Sequence, residues 1–134
     1  MAHFVYTSAL SKLLTATLGN LTSVTVKCAA VTSAYTPAQT TDDTLTDLGS
    51  SVIEAVTLRN VTVTDGILIC DNFEFTGTNS GTCVAFVYYI STGVPSTSYL
   101  LSYDGDVTNL PVTFSGSVVA VSVPSSGLIS LAAV

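Results

Sequence analysis

The side chains that carry most enzyme chemistry are scarce in this chain. There is one histidine, His3, close to the N-terminus, with no Ser, Cys or Asp at a spacing that would hold it as a general base. Base catalysis needs an oriented neighbour within hydrogen-bond reach, so His3 has nothing to work with. Two carboxylate groupings, Asp71 with Glu74 and Asp104-Gly105-Asp106, have the residue types of an acid/base pair such as glycosidases use. Both lie where turns ordinarily place acidic residues, and the chain has no Trp against which a sugar ring could stack. Asp42-Asp43 is a third acidic pair. A calcium site needs six or more oxygens from a patterned loop, and that pattern is missing around it. Cys28, Cys70 and Cys83 have no metal-like spacing and stand among apolar neighbours in apparent strands, which reads as small buried hydrophobes. No phosphate-cradling Gly-rich loop, HExxH, CxxC or GxSxG occurs. The expectation is a protein that is not an enzyme, with no catalytic residue, no cofactor and no metal.

Aromatic side chains offer a different chemistry, that of contact. Tyr35 stands next to Pro37 in a long polar loop, and Tyr99 and Tyr103 share a face of a strand. Large amphipathic rings of this kind serve as anchors in protein interfaces. Tyr35, Pro37, Tyr99 and Tyr103 are therefore the expected partner-contact residues.

The elements that must position them are mostly strands. From Thr82 to Ile90 the chain reads Thr-Cys-Val-Ala-Phe-Val-Tyr-Tyr-Ile, nine residues without a charge, Gly or Pro, fenced by Gly81 and Gly93. A strand apolar on both faces has to be covered twice, so this stretch is expected at the centre. Ahead of it, Phe4 to Leu18 carries Tyr6, Leu10, Leu13, Leu14 and Leu18 at spacings of three and four, followed by Gly19-Asn20. That predicts one amphipathic helix lying against the sheet or docking on another subunit. Strands follow from Leu21 to Ser33, Val52 to Thr64 and Ile67 to Phe75, the last two joined at Asp65-Gly66, a strong hairpin signal. Thr44 is expected to cap a short helical turn with Asp47 inside it. Later strands are read at Tyr99 to Tyr103, Leu110 to Phe114, Ser117 to Val123 and Leu128 to Ala132. Eight or nine short strands with turns between them predict a mainly β fold. It is an antiparallel β-sandwich or barrel with one N-terminal helix, a single domain over residues 1–134.

Composition narrows the partners. Charged residues are 9% of the chain, against roughly 25% in ordinary domains, and Ser and Thr take their place. Charges are depleted at the cores of protein interfaces, so such a composition suits a surface laid against other proteins. Net charge is −6, with only Lys12, Lys27 and Arg59 as cations. Nucleic-acid backbones are held by clustered Lys and Arg, so a nucleic-acid partner is not expected. Nor is a membrane, because no apolar run reaches the length of a span. An odd cysteine count and the lack of a recognisable signal peptide point to folding in a reducing cytoplasm.

The order of short motifs adds a family likeness. Ala2-His3-Phe4-Val5-Tyr6 leads into the helix, followed by Val24-Thr25-Val26-Lys27-Cys28-Ala29-Ala30-Val31 and Ala34-Tyr35-Thr36-Pro37. Asp43, Leu45, Asp47 and Leu48 form an acidic Asp-x-Leu-x-Asp-Leu segment. Then come Val87-Tyr88-Tyr89-Ile90, Ser98-Tyr99-Leu100-Leu101-Ser102-Tyr103 and Ser126-Gly127-Leu128-Ile129-Ser130-Leu131. Nearly the whole chain resembles a group of small β-sandwich virion proteins of tailed bacteriophages, similar to capsid decoration (cement) proteins. This chain is poorer in charge and richer in Thr and Ser than that group. The resemblance implies a homo-oligomer, dimer or trimer, bound to the major capsid protein on the capsid exterior after synthesis in the host bacterial cytoplasm. It implies no catalytic residues. The other readings are a tail, neck or fibre-base component of the virion, and a β-sandwich that binds carbohydrate or a small ligand.

Overall fold

The structure, a computed structural model, describes residues 3–17 and 19–130, the side chains of residues 129 and 130 excepted. The first strand, β1 (His3–Val5), leads into the helix α1 (Thr7–Leu14). Next come β2 (Thr25–Val31), a 3-10 segment at Leu45–Ser51, β3 (Val52–Thr57), β4 (Thr62–Thr64), β5 (Ile67–Ile69) and β6 (Phe73–Phe75). β7 (Gly81–Cys83), β8 (Ala85–Ser91), β9 (Leu100–Asp104), β10 (Val112–Phe114), β11 (Val119–Val121) and β12 (Ile129–Ser130) complete the order.

The chain is mainly β, with every pairing antiparallel. A five-stranded sheet in the order β1-β9-β8-β2-β3 forms the base. β8 is its middle strand, and Ala85 to Ile90 are all buried. The double-sided apolar run is thus covered on both faces, as its composition requires. Across one face run Phe86 and Tyr88, beside Cys28, Ala30, Ser102 and Asp104. Three small sheets, β7-β10, β6-β11 and β4-β5-β12, accompany the base. Phe73 and Phe75 of β6 and Phe114 of β10 close an aromatic cluster on Phe86, with ring centroids 5.4 to 6.4 Å apart. On the other face Ala29, Val87, Tyr103 and Phe4 lie side by side, and Phe4 stacks on Tyr103 at 5.3 Å. α1 packs beside β9 there. The pairings among the described strands close no barrel.

The helix is shorter than its periodicity predicts. Phe4 and Val5 belong to β1, and the Tyr6 amide donates to Leu101 O at 3.0 Å, which extends the sheet edge before the helix begins. Leu14, expected on the inward stripe, is 88% exposed. The expected helix end at Leu18 lies outside the described residues, as do Leu131 and Ala132 of the expected last strand. Val52 to Thr64 is two strands rather than one. Asn60 takes φ +54, a left-handed conformation that Asn tolerates and a strand does not. Ile67 to Phe75 likewise divides into β5 and β6, which join different sheets. Val63, in β4, is exposed. The Thr82–Ile90 run is itself divided at Val84 into β7 and β8.

Other local signals act as read. Asp65 and Gly66 both have positive φ, +53 and +78, and Thr64 pairs with Ile67 across them. That is the primed two-residue turn whose twist matches its strands. In the 3-10 segment the Asp47 carboxylate accepts the amides of Asp43 and Thr44 at 2.7 and 3.1 Å, satisfying donors that the helical turn leaves open.

Candidate partner-binding cleft

Two of the described segments rise over the Tyr103 end of β9 and leave an open cleft of about 450 Å³ between them. One wall is the loop after β2, with Ser33, Tyr35, Thr36 and Pro37. The other is Gly105, Leu110 and Pro111 from the loop after β9, with Tyr103 of β9 and Val84, at the break between β7 and β8, completing the lining. Of the four expected contact residues, Tyr35, Pro37 and Tyr103 meet here. Tyr99 does not. It lies half-buried at the far end of β9, paired with Thr44, with the Lys12 ammonium 4.5 Å from its ring centre. Lys12 is itself bonded to Asp43 at 2.8 Å, so the Tyr99 face is already occupied within the chain.

Neither ring projects from the surface. Tyr35 is 7% and Tyr103 3% exposed, so both lie at the floor of the cleft. For Tyr35 the position is held by a hydrogen-bond chain. The Tyr35 hydroxyl donates to Asp42 Oδ2 at 2.6 Å, which leaves the Tyr6 hydroxyl to donate to Tyr35, also at 2.6 Å. The same Asp42 oxygen accepts the Ala38 amide at 2.9 Å. Burial, and then the bonds to Asp42 and Tyr6, raise the Tyr35 phenol well above its usual pKa, so the hydroxyl is a fixed neutral donor. Burial raises Tyr6 in the same way, against a lowering by its bond to Tyr35.

Further bonds stitch the loop wall down. Thr7 N donates to Gln39 O, Gln39 Nε2 to Val5 O, Leu45 N to Ser98 O and Leu100 N to Asp43 O, all between 2.8 and 3.1 Å. The wall is therefore preformed, and a partner entering it orders little backbone on arrival. No charged residue lines the cleft, and its described lining offers neither imidazole nor carboxylate. What it can do is accept an apolar side chain against tyrosine and proline rings.

Sequence reasoning missed Val84, Gly105, Leu110 and Pro111. The Asn109-Leu110-Pro111 triplet was one available signal, since two apolar residues in a turn beside an acidic segment need a reason to be there. Val84 had no signal, because neither Gly nor Pro marks the break between β7 and β8.

Carboxylates of the acidic groupings bond to partners within the chain. Asp42 holds Tyr35, Asp43 holds Lys12, and Asp71 accepts Asn60 Nδ2 at 2.6 Å. Asp104 accepts the Asp106 amide at 3.0 Å, a side-chain-closed turn. Both also border a second cavity of about 460 Å³ walled by Phe86, Tyr88, Val121 and Leu128. The three cysteines are free and buried. Cys70 lies just past the end of β5, not within a strand. Burial raises the Cys28 thiol strongly and pushes those of Cys70 and Cys83 up to about 11. A thiol held protonated is a poor nucleophile. Among the described residues no three His, Cys, Asp or Glu side chains gather as a metal site, and no helix is long and apolar enough to cross a membrane.

No protein-family model matches the chain, and no curated protein matches it.

Proposed function

We propose that the protein is a bacteriophage capsid decoration protein that seats on the outer surface of the major capsid lattice and stabilises the head. The observation that carries this reading is the preformed, wholly uncharged cleft, on a domain with only 9% charged residues. A surface of this kind fits an apolar anchor presented by a neighbouring protein. The resemblance of the motif order to that of small virion proteins points to the same reading. A net charge of −6 suits the exterior of a shell filled with DNA.

The mechanism is linkage. A partner that binds the closed lattice and not its dissociated subunits lowers the free energy of the closed state by RT ln(1 + [L]/Kd). A modest affinity at each contact is multiplied over a symmetric shell when each oligomer spans two or more capsid subunits. The test is reconstitution on capsids that lack the protein, followed by imaging. Saturable density over the lattice is expected, with loss of binding in Val84→Asp, which places a charge in the cleft at a half-buried position. Density confined to the tail or neck overturns it.

The cavity beside Asp104 and Asp106 favours a second reading, a small-ligand-binding β-sandwich, because about 460 Å³ is within the range of ligand pockets. A ligand-dependent rise in melting temperature, lost on filling the cavity with Val121→Phe, is its signature.

A further inference from the structure

We infer that the edge strand β4 is a self-association surface, pairing antiparallel with β4 of a second copy. β4 lies at the edge of the sheet ordered β12-β5-β4, and Thr62, Val63 and Thr64 are all exposed. A sheet edge is a row of unpaired backbone donors and acceptors. Chains usually blunt it with charge, proline, a bulge or a covering loop. Among the described residues, the three positions of β4 have none of these. The two edges of the five-stranded sheet do. At β3 the Glu54 carboxylate takes the Thr76 and Gly77 amides, and Asn79 Nδ2 bonds Ile53 O. At β1, Gln39 covers Val5 O.

The occupant follows from the pattern of the strand. In a two-residue hairpin the residues flanking the turn, Thr64 and Ile67, exchange both backbone bonds, and the alternation then turns the Val63 N–H and C=O away from β5. Thr-Val-Thr reads the same in both directions. An antiparallel copy therefore sets Val63 opposite its counterpart, with two reciprocal N–H to O=C bonds, and each Thr62 opposite a Thr64, a favourable cross-strand pair. Charge selects the same direction. Exposed Arg59 precedes the strand and exposed Asp65 follows it, so antiparallel pairing brings acid towards base, where parallel pairing would bring like to like. Val63, 45% exposed, loses apolar surface in the process.

Three residues per copy bury far less than the roughly 1,200 Å² of a stable interface. The pairing is therefore weak in dilute solution and gains weight where copies are held close together. It does not rest on the proposed function and is measured on the free chain. Amide NMR of the full protein is recorded over a dilution series reaching about 1 mM, the effective concentration that short tethers provide. Concentration-dependent shifts and slowed hydrogen exchange are expected at residues 61–65. They disappear in Val63→Pro, which removes the outward-facing donor at an edge position where proline is tolerated, and in Thr62→Lys/Thr64→Lys, which adds repulsion without removing any backbone bond. The remaining spectrum of either variant reports that the fold is intact. Absence of any concentration dependence, or shifts centred on another surface such as Leu14 or Val118, overturns the inference.

Discussion

At the scale of single residues, a few polar atoms decide which loops are rigid. Tyr35 links Tyr6 to Asp42 through two bonds of 2.6 Å, and losing its hydroxyl strands the buried Tyr6 hydroxyl while Asp42 keeps the Ala38 amide. Tyr35→Phe is predicted to cost about 1–3 kcal/mol in chemical denaturation, because that buried hydroxyl is left unpaired while the ring that floors the cleft remains. Gly77 has a different role. Its φ is +75, and a Cβ there would come within 1.8 Å of Ser117 O, whereas a Cβ on Gly93, φ +86, would meet nothing within 4 Å. Gly93→Ala should therefore cost only the roughly 1–2 kcal/mol of left-handed backbone. Gly77→Ala should cost clearly more, and equal losses would refute the close approach. Titration gives a third check. Burial raises Tyr6, Tyr35, Tyr88, Tyr89 and Tyr103, and lifts Cys70 and Cys83 to about 11. Groups with raised folded pKa values contribute stability that is intact below their unfolded values and lost as pH climbs through the window up to the folded ones. Unfolded thiols titrate near 8.5 and phenols near 10, so stability should hold to about pH 8.5 and decline above it. Tyrosinate absorbance should then rise together with loss of near-ultraviolet circular dichroism. Phenols titrating near 10 with the fold intact would contradict the burial.

At the scale of elements, the sheet faces carry the energy and the helix carries little of it. Phe75 is fully buried between Phe73, Phe86 and Phe114, so Phe75→Ala should cost about 3–5 kcal/mol, the transfer loss plus an unfilled cavity. Leu14→Ala, at an exposed helical position, should stay within about 0.5 kcal/mol. Equilibrium denaturation of the two variants separates these cases. This contrast also marks what was legible in the sequence. The β8 run announced its burial because no charge interrupts either face, and Asp65-Gly66 announced its hairpin because few other pairs accept two positive φ values. The helix limits were not legible. Phe4 and Tyr6 stand two apart as well as within a helical pattern, and the bond from Tyr6 N to Leu101 O, nearly a hundred residues away, settles the matter for the strand. The break at Asn60 did leave a trace, because the apolar alternation slips by one residue there, from Val56 and Leu58 to Val61 and Val63.

At the scale of the whole molecule, mainly β architecture followed from strand spacing, yet the cleft did not. Its lining comes from the loop after β2, from Val84 between β7 and β8, and from the loop after β9, and only the pairing order β9-β8-β2 brings these together. Tyrosine and proline types pointed to three of the residues, while nothing local indicated that Tyr35 and Tyr103 would form its floor and Tyr99 would be engaged elsewhere. In the proposed function, the cleft, the sparse charge and the acidic balance serve contact with another protein, and a lattice is the partner that rewards small contacts most. Counting copies of the chain in purified phage particles, by quantitative mass spectrometry against the major capsid protein, tests the proposed function most directly. Hundreds of copies per virion, in fixed ratio to the capsid subunit, are predicted; a few tens or fewer, or none, would contradict it.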